Sequence, residues 1–171
     1  MKEPKEILKL VKRAKAQEPD AFTELMQFYM KDMYRVSAAI LMNDEDAADA
    51  IQDTILACWE KIGTLRENRF FKSWMTRILI RKCYDILNHR RSLASLEEYK
   101  EPEAQETPED GFHEMLSILD EKYRVPMMLY YGLGYKTSEI AELLHIPRST
   151  VQTRLARGRE KLADFYKSER K

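Results

Sequence analysis

Apolar residues recur at steps of three and four along most of the chain, the spacing of one buried helical face, and no stretch alternates with the period of two that marks a half-buried strand. Ile7, Leu8, Val11 and Ala14 predict a short first helix that ends before Pro19. Pro19 and Asp20 suit the first turn of a second helix, whose apolar face runs through Phe22, Leu25, Met26, Tyr29, Met33, Val36, Ile40 and Leu41 out to Met42. Asn43-Asp44-Glu45-Asp46 then offers capping oxygens to free backbone N–H groups, and its charge suits the positive end of a helix dipole. A third helix is therefore predicted from about Asp46 to Ile62, stopping at Gly63. Thr64 to Arg69 reads as a polar loop. Phe71, Trp74, Met75, Ile78, Leu79, Ile86 and Leu87 mark the buried face of a fourth helix, and the four together predict one all-α bundle over residues 1–91.

Residues 92–111 break this pattern, with Pro102, Pro108, seven acids and little apolar content beyond Leu93, Leu96 and Tyr99, so a flexible acidic linker is predicted there. Helical spacing resumes with Phe112, Met115, Leu116 and Leu119, a cap at Asp120, then Val125, Met128, Leu129 and Tyr131 up to Gly132 and Gly134. Pro126 lies beyond the favoured first turn and predicts a kink. Thr137 to Leu144, a turn at His145-Ile146, Pro147 at a helix start and a helix from Arg148 to about Lys167 form a helix-turn-helix within residues 112–171. The expected fold is all-α, with two helical domains joined by an acidic flexible linker.

The fourth helix carries a second stripe. Arg77, Arg81, Tyr84, Asn88 and Arg91 recur at alternating steps of four and three, giving cations, one ring and one amide on a shared face. Charge on a helix is often only a solvated face, but the sign here is one-sided. Lys72, Arg77, Arg81, Lys82, Arg90 and Arg91 meet a single acid, Asp85. Phosphate suits such a surface, and a ring among cations suits stacked bases. In the helix-turn-helix, Ile140, Ala141 and Leu144 are expected to face inward against Val151, Leu155 and Leu162. Arg148, Ser149, Gln152, Thr153, Ala156 and Arg157 are left for a DNA groove or its walls.

Composition sharpens this rather than creating it. Lys plus Arg and Asp plus Glu both total 29, so the 171-residue chain has no net charge and only the distribution is informative. Residues 1–91 hold 17 basic and 14 acidic side chains, 92–111 hold 1 and 7, and 112–171 hold 11 and 8, or +3, −6 and +3. Cys58 and Cys83 each sit in an apolar helical pattern without a nearby Cys or His, which predicts reduced core thiols and no metal site. His89, His113 and His145 lie far apart, no glycine-rich phosphate loop occurs, and no nucleophile stands beside a base, so no catalytic residues, cofactor or enzyme activity is expected. Val36 to Met42 is too short to span a bilayer and MKEPKEILKL lacks a signal peptide's apolar segment, so a soluble, intracellular chain without membrane insertion is expected.

Three motifs carry a resemblance. Asp46-Ala47-Ala48-Asp49-Ala50-Ile51-Gln52-Asp53-Thr54-Ile55 with Trp59, Phe71-Lys72-Ser73-Trp74-Met75-Thr76-Arg77-Ile78 with Asp85, and Glu139-Ile140-Ala141 with Ser149-Thr150-Val151-Gln152-Thr153-Arg154-Leu155 and Arg157-Gly158-Arg159-Glu160-Lys161-Leu162 resemble bacterial RNA polymerase sigma factors of the extracytoplasmic-function group. The resemblance spans roughly Ile7 to Tyr166. It implies that residues 1–91 dock on the polymerase clamp and open the promoter's −10 element, that the linker 92–111 threads toward the RNA path, and that 112–171 read the −35 element. It implies that Asp49, Gln52 and Asp53 contact core RNA polymerase, that Lys72, Arg77, Arg81, Tyr84, Asn88 and Arg91 meet −10 DNA, and that Arg148, Ser149, Gln152, Thr153 and Arg157 meet −35 DNA. An anti-sigma factor, often membrane-tethered, is implied as a further partner. The family often has Asn where Arg81 stands and a base where Asn88 stands, so the resemblance implies an altered set of polar groups for −10 bases here. A free-standing helix-turn-helix regulator would account for 112–171 but leaves the amide-and-acid face of Asp46–Ile62 and the basic-aromatic stripe without a task, and an enzyme with a helical appendage lacks a catalytic constellation.

Overall fold

A computed structural model of the chain describes residues 4–94, 114 and 117–170. Every regular element among them is helical. The first four are α1 (Pro4–Lys15), α2 (Pro19–Leu41), α3 (Asp44–Lys61) and α4 (Phe71–Leu93), with short 3-10 turns at Ile62–Thr64 and Asn68–Phe70 between the last two. Pro19 opens α2, and Met42 closes it in the left-handed region (φ 51°), returning its N–H to the Ala38 carbonyl. Asn43 caps α3 by accepting the Asp46 N–H at 2.9 Å, so α3 starts two residues before the expected Asp46.

The long helix α2 touches α1, α3 and α4 and forms the centre of this bundle. Its predicted face is buried throughout, from Phe22 and Leu25 to Ile40 and Leu41. Phe22 meets Trp59 of α3 with ring centroids 5.0 Å apart, and Tyr29 meets Phe71 of α4 at 5.7 Å. Ser37, Thr54 and Thr76 are buried inside helices, which is tolerable because each hydroxyl donates to the carbonyl four residues earlier. Cys58 and Cys83 are buried and unbridged, as their patterns predicted.

Of the predicted linker, residues 92–94 finish α4 and its capping turn, and 95–111 lie outside the described residues, as do Phe112, Met115 and Leu116. The C-terminal half continues with α5 (Glu121–Met127), a π-helical turn at Met128–Gly132, α6 (Thr137–Leu144) and α7 (Arg148–Glu169). Pro126 has no N–H to give the preceding turn, and within two residues the helix widens to i−5 bonding, with the Leu133 N–H on the Met128 carbonyl at 3.1 Å. Where a kink was expected at Pro126, the structure has this widened turn.

Helix α7 packs on α5 and α6 through Val151, Leu155, Gly158 and Leu162. Glycine matters at 158 because a Cβ there would stand 3.0 Å from Met127 Cγ, so the small residue permits the α5–α7 approach. The α6–α7 turn is made by His145 in the left-handed region (φ 55°), with the Ile146 N–H on the Ala141 carbonyl. Within α6 the fully buried pair is Ile140 and Leu143; Ala141 and Leu144, expected inside, are half-buried.

The two halves share one hydrophobic core. Arg124 of α5, 1% exposed, donates from Nε to the Ala39 carbonyl at 2.5 Å and from Nη1 to the Leu119 carbonyl at 2.9 Å. Ala39 lies in the last turn of α2, where carbonyls lack helical partners and the dipole is negative, so a buried cation is accommodated there. Among the described residues no helix is long and apolar enough to cross a membrane, and no group of His, Cys, Asp and Glu is arranged to hold a metal.

Candidate nucleic-acid interface

On α4 the apolar face buries Phe71, Met75, Leu79 and Leu87, with Trp74, Ile78 and Ile86 partly covered. Thr76 and Ile80 are buried as well, on the side of the expected core residue Cys83, and the helical wheel did not predict their burial. The remaining stripe leaves Arg77, Arg81, Asn88 and Arg91 exposed, while Lys72 and Tyr84 are half-buried. Lys72 Nζ donates to the Leu133 carbonyl at 2.8 Å and stands 4.9 Å from the Tyr135 ring centroid. Tyr135 in turn shares a 2.8 Å hydrogen bond with Thr76 Oγ1. Burial, then the Glu121 carboxylate, pushes the Tyr84 hydroxyl well above its ordinary value. Arg91 Nη2 meets the same carboxylate at 2.5 Å.

Two residues at the ends of this helix have roles that the pattern did not reveal. Arg90, counted with the cations, forms a 2.5 Å ion pair with Asp46 at the start of α3, so it braces the bundle. Phe70, 51% exposed, stands at the head of α4 with the Arg69 guanidinium 4.6 Å from its ring centroid, and it adds an open aromatic face to the cationic side. Its place before Phe71, one position outside the three-and-four spacing of the buried face, was the available signal.

Helix α3 turns Asp49, Gln52 and Asp53 to solvent, and Leu56, 58% exposed, extends the same side. Leu56 falls off the buried stripe of Ala47, Ala50, Ile51, Thr54 and Cys58, which marks it as a surface leucine among acids and amides. Such a face suits a basic partner with an apolar contact at its centre. On α7, Arg148, Ser149, Gln152, Thr153, Ala156 and Arg157 are all exposed, and Arg148 Nε donates to Thr137 Oγ1 at 3.1 Å across the helix-turn-helix.

The family model described as "Sigma-70 region 2" matches residues 25–93, and that described as "Sigma-70, region 4" matches residues 110–162. The chain belongs to the sigma-70 family. Its curated relatives are named as sigma factors, several of them of the extracytoplasmic-function group. It is 28% identical to the RNA polymerase sigma factor SigV of Bacillus subtilis over 76% of this chain and 81% of the relative. With the extracytoplasmic-function sigma factor SigW of the same organism it shares 28% identity over 91% of this chain and 94% of the relative. Among solved structures, the sigma factor RpoE of Bartonella quintana, in complex with the anti-sigma factor NepR, has the same fold at a TM-score of 0.73 and 20% identity, covering 85% of this chain and 96% of that one. The sigma region 2 match contains the exposed face of α3 and the α4 stripe, and the region 4 match contains α5, α6 and the exposed row of α7.

Proposed function

We propose that this sigma factor, a transcription initiation factor, divides its task between residues 1–91, which bind core RNA polymerase and open the −10 element, and residues 112–171, which read the −35 element, with 92–111 as the acidic connection. In this reading Asp49, Gln52 and Asp53 dock on the polymerase, with Leu56 among them. Lys72, Arg77, Arg81, Tyr84, Asn88 and Arg91 receive the separated strand, and Phe70 offers a further stacking face. Arg148, Ser149, Gln152, Thr153 and Arg157 enter or flank the −35 groove. The chain directs the polymerase and performs no catalysis of its own. An anti-sigma factor, as seen bound to the RpoE relative, is a further proposed partner, and membrane tethering would belong to that partner.

The observation that carries the reading is the coexistence, in one chain matched by both sigma regions, of an acidic exposed face on α3 with cationic exposed rows on α4 and α7. A free-standing helix-turn-helix regulator uses only the last of these. Capture of core RNA polymerase by the immobilised chain, compared between wild type, Asp53→Lys and Gln52→Ala, tests it. Both variants should fold normally, since exposed substitutions rarely cost more than about 0.5 kcal/mol, yet retain less polymerase. Undiminished capture by both would remove the α3 face from the reading, and no capture by wild type would remove the reading itself.

A further inference from the structure

Where α4, α5 and the helix-turn-helix meet, they leave a cleft of about 190 Å³. Val125 and Pro126 of α5, with Leu144 and Ile146 at the helix-turn-helix corner, give it apolar walls. Leu144 and Ile146 are only half-buried although both pack against the core, so apolar surface is left open at this point. Water gains little along such walls, and an apolar body that replaces it is favoured. The polar lining has a definite sign. Lys122 and Arg154 face one acid, Glu121, whose carboxylate already meets Arg91. Arg154 is half-buried and, among the described residues, makes no hydrogen bond or ion pair. Lys122 Nζ has only the Tyr123 ring beside it, 5.0 Å from the centroid. Two cations against one carboxylate leave the lining at a net single positive charge, which one anionic group balances and a dianion overshoots. A free guanidinium is the group best shaped to take a carboxylate.

We propose that this cleft binds a small monocarboxylate with an apolar body, its head on Arg154 and Lys122 and its body against Val125, Pro126, Leu144 and Ile146. The volume sets the size of the body: water occupies about 30 Å³ and a methylene nearly as much, so the cleft holds a chain of about six carbons. It falls short of the roughly 300 Å³ at which sites for drug-sized molecules begin. Tyr84 comes from the first half of the chain and the rest of the lining from the second, so an occupant touches both halves and stabilises their docking. The site makes that docking responsive to the concentration of a small organic acid.

The test uses the full chain, sodium hexanoate as the probe and 1-hexanol as its uncharged counterpart, followed by ligand-observed NMR at ionic strength matched with sodium chloride. Hexanoate should bind saturably with a Kd of about 1 mM, as befits so small a ligand. Arg154→Gln should weaken it by about fivefold or more while leaving the weaker binding of hexanol unchanged. Should Arg154→Gln fail to fold, Lys122→Gln, at an exposed position, should weaken hexanoate by about threefold. Lys9→Gln on α1 makes the same change in net charge outside the cleft and should have no effect. No saturable binding by the wild type up to about 10 mM overturns the proposal. So does equal hexanoate binding by wild type and Arg154→Gln with native circular dichroism, or an equal loss in Lys9→Gln.

Discussion

Single residues in this chain take their chemistry from where the helices put them. Cys58 and Cys83 are ordinary core residues by pattern, and burial pushes both thiols up from 9.0 to about 12. The Ser37 hydroxyl beside Cys83 opposes that rise only in part. Two consequences follow for measurement. At pH 8 the native thiols should react with a disulfide reagent only as fast as the chain opens, because the thiolate is the nucleophile and is scarce. Native stability should also fall as pH rises from 9 toward 12, since the unfolded chain releases these protons first. The slope is up to about 1.4 kcal/mol per pH unit for each thiol. Urea unfolding at pH 8, 9 and 10, comparing wild type with Cys58→Ala, checks the sign. A stability that rises over this interval would contradict the buried environment. Arg124 shows the opposite case, a charge made tolerable inside by carbonyls at the end of another helix.

At the scale of elements, α4 and α7 are both amphipathic, yet they differ in what their polar sides meet. The polar side of α7 keeps Arg148, Ser149, Gln152, Thr153 and Arg157 in solvent, so the expected −35 readers are all reachable. Removing Arg148, Gln152 and Arg157 together should abolish transcription that depends on the upstream element. Base-contacting losses should be roughly 1–3 kcal/mol and depend on the −35 sequence, and phosphate-contacting losses should not. In-vitro transcription from templates altered at −35 separates the two, and equal output from wild type and the triple alanine variant would remove α7 from recognition. On α4 the polar side is divided. Its middle is open at Arg77 and Arg81, whereas Lys72 and Arg91 are already engaged by the C-terminal half.

At the scale of the whole molecule, a chain of zero net charge sets exposed cationic rows on α4 and α7 and lets one half cover part of the other. The shared core and the Arg124 bridge hold this arrangement. Arg124→Ala leaves the Ala39 carbonyl without that donor and should weaken the docking by about 1–3 kcal/mol. Small-angle scattering should show it: a compact 171-residue chain has a radius of gyration of about 16 Å, and the variant should exceed the wild type while α1–α4 keep their helical signal. Identical scattering from both would mean that other contacts between the halves suffice.

The sequence by itself determined the helices, because three-and-four spacing, Pro19, the Asn43 cap and Pro147 are local instructions that need no partner. It determined the buried side of α2 and the exposed rows of α3 and α7 for the same reason, since one amphipathic face must turn inward in any all-α packing. The motifs along Asp46–Ile55, Phe71–Ile78 and Glu139–Leu162 made the family legible, and the two family matches bear it out. Only the tertiary structure decided which cations remain available. Whether Lys72 and Arg91 already hold a partner depends on Leu133 and Glu121, residues thirty or more positions away, and no helical period encodes that distance. The same holds for Arg124, Arg90 and Phe70. Their sequence neighbours say that each is polar or apolar, but a carbonyl at Ala39, a carboxylate at Asp46 or open solvent settles what each one does, because those partners arrive only when the helices pack.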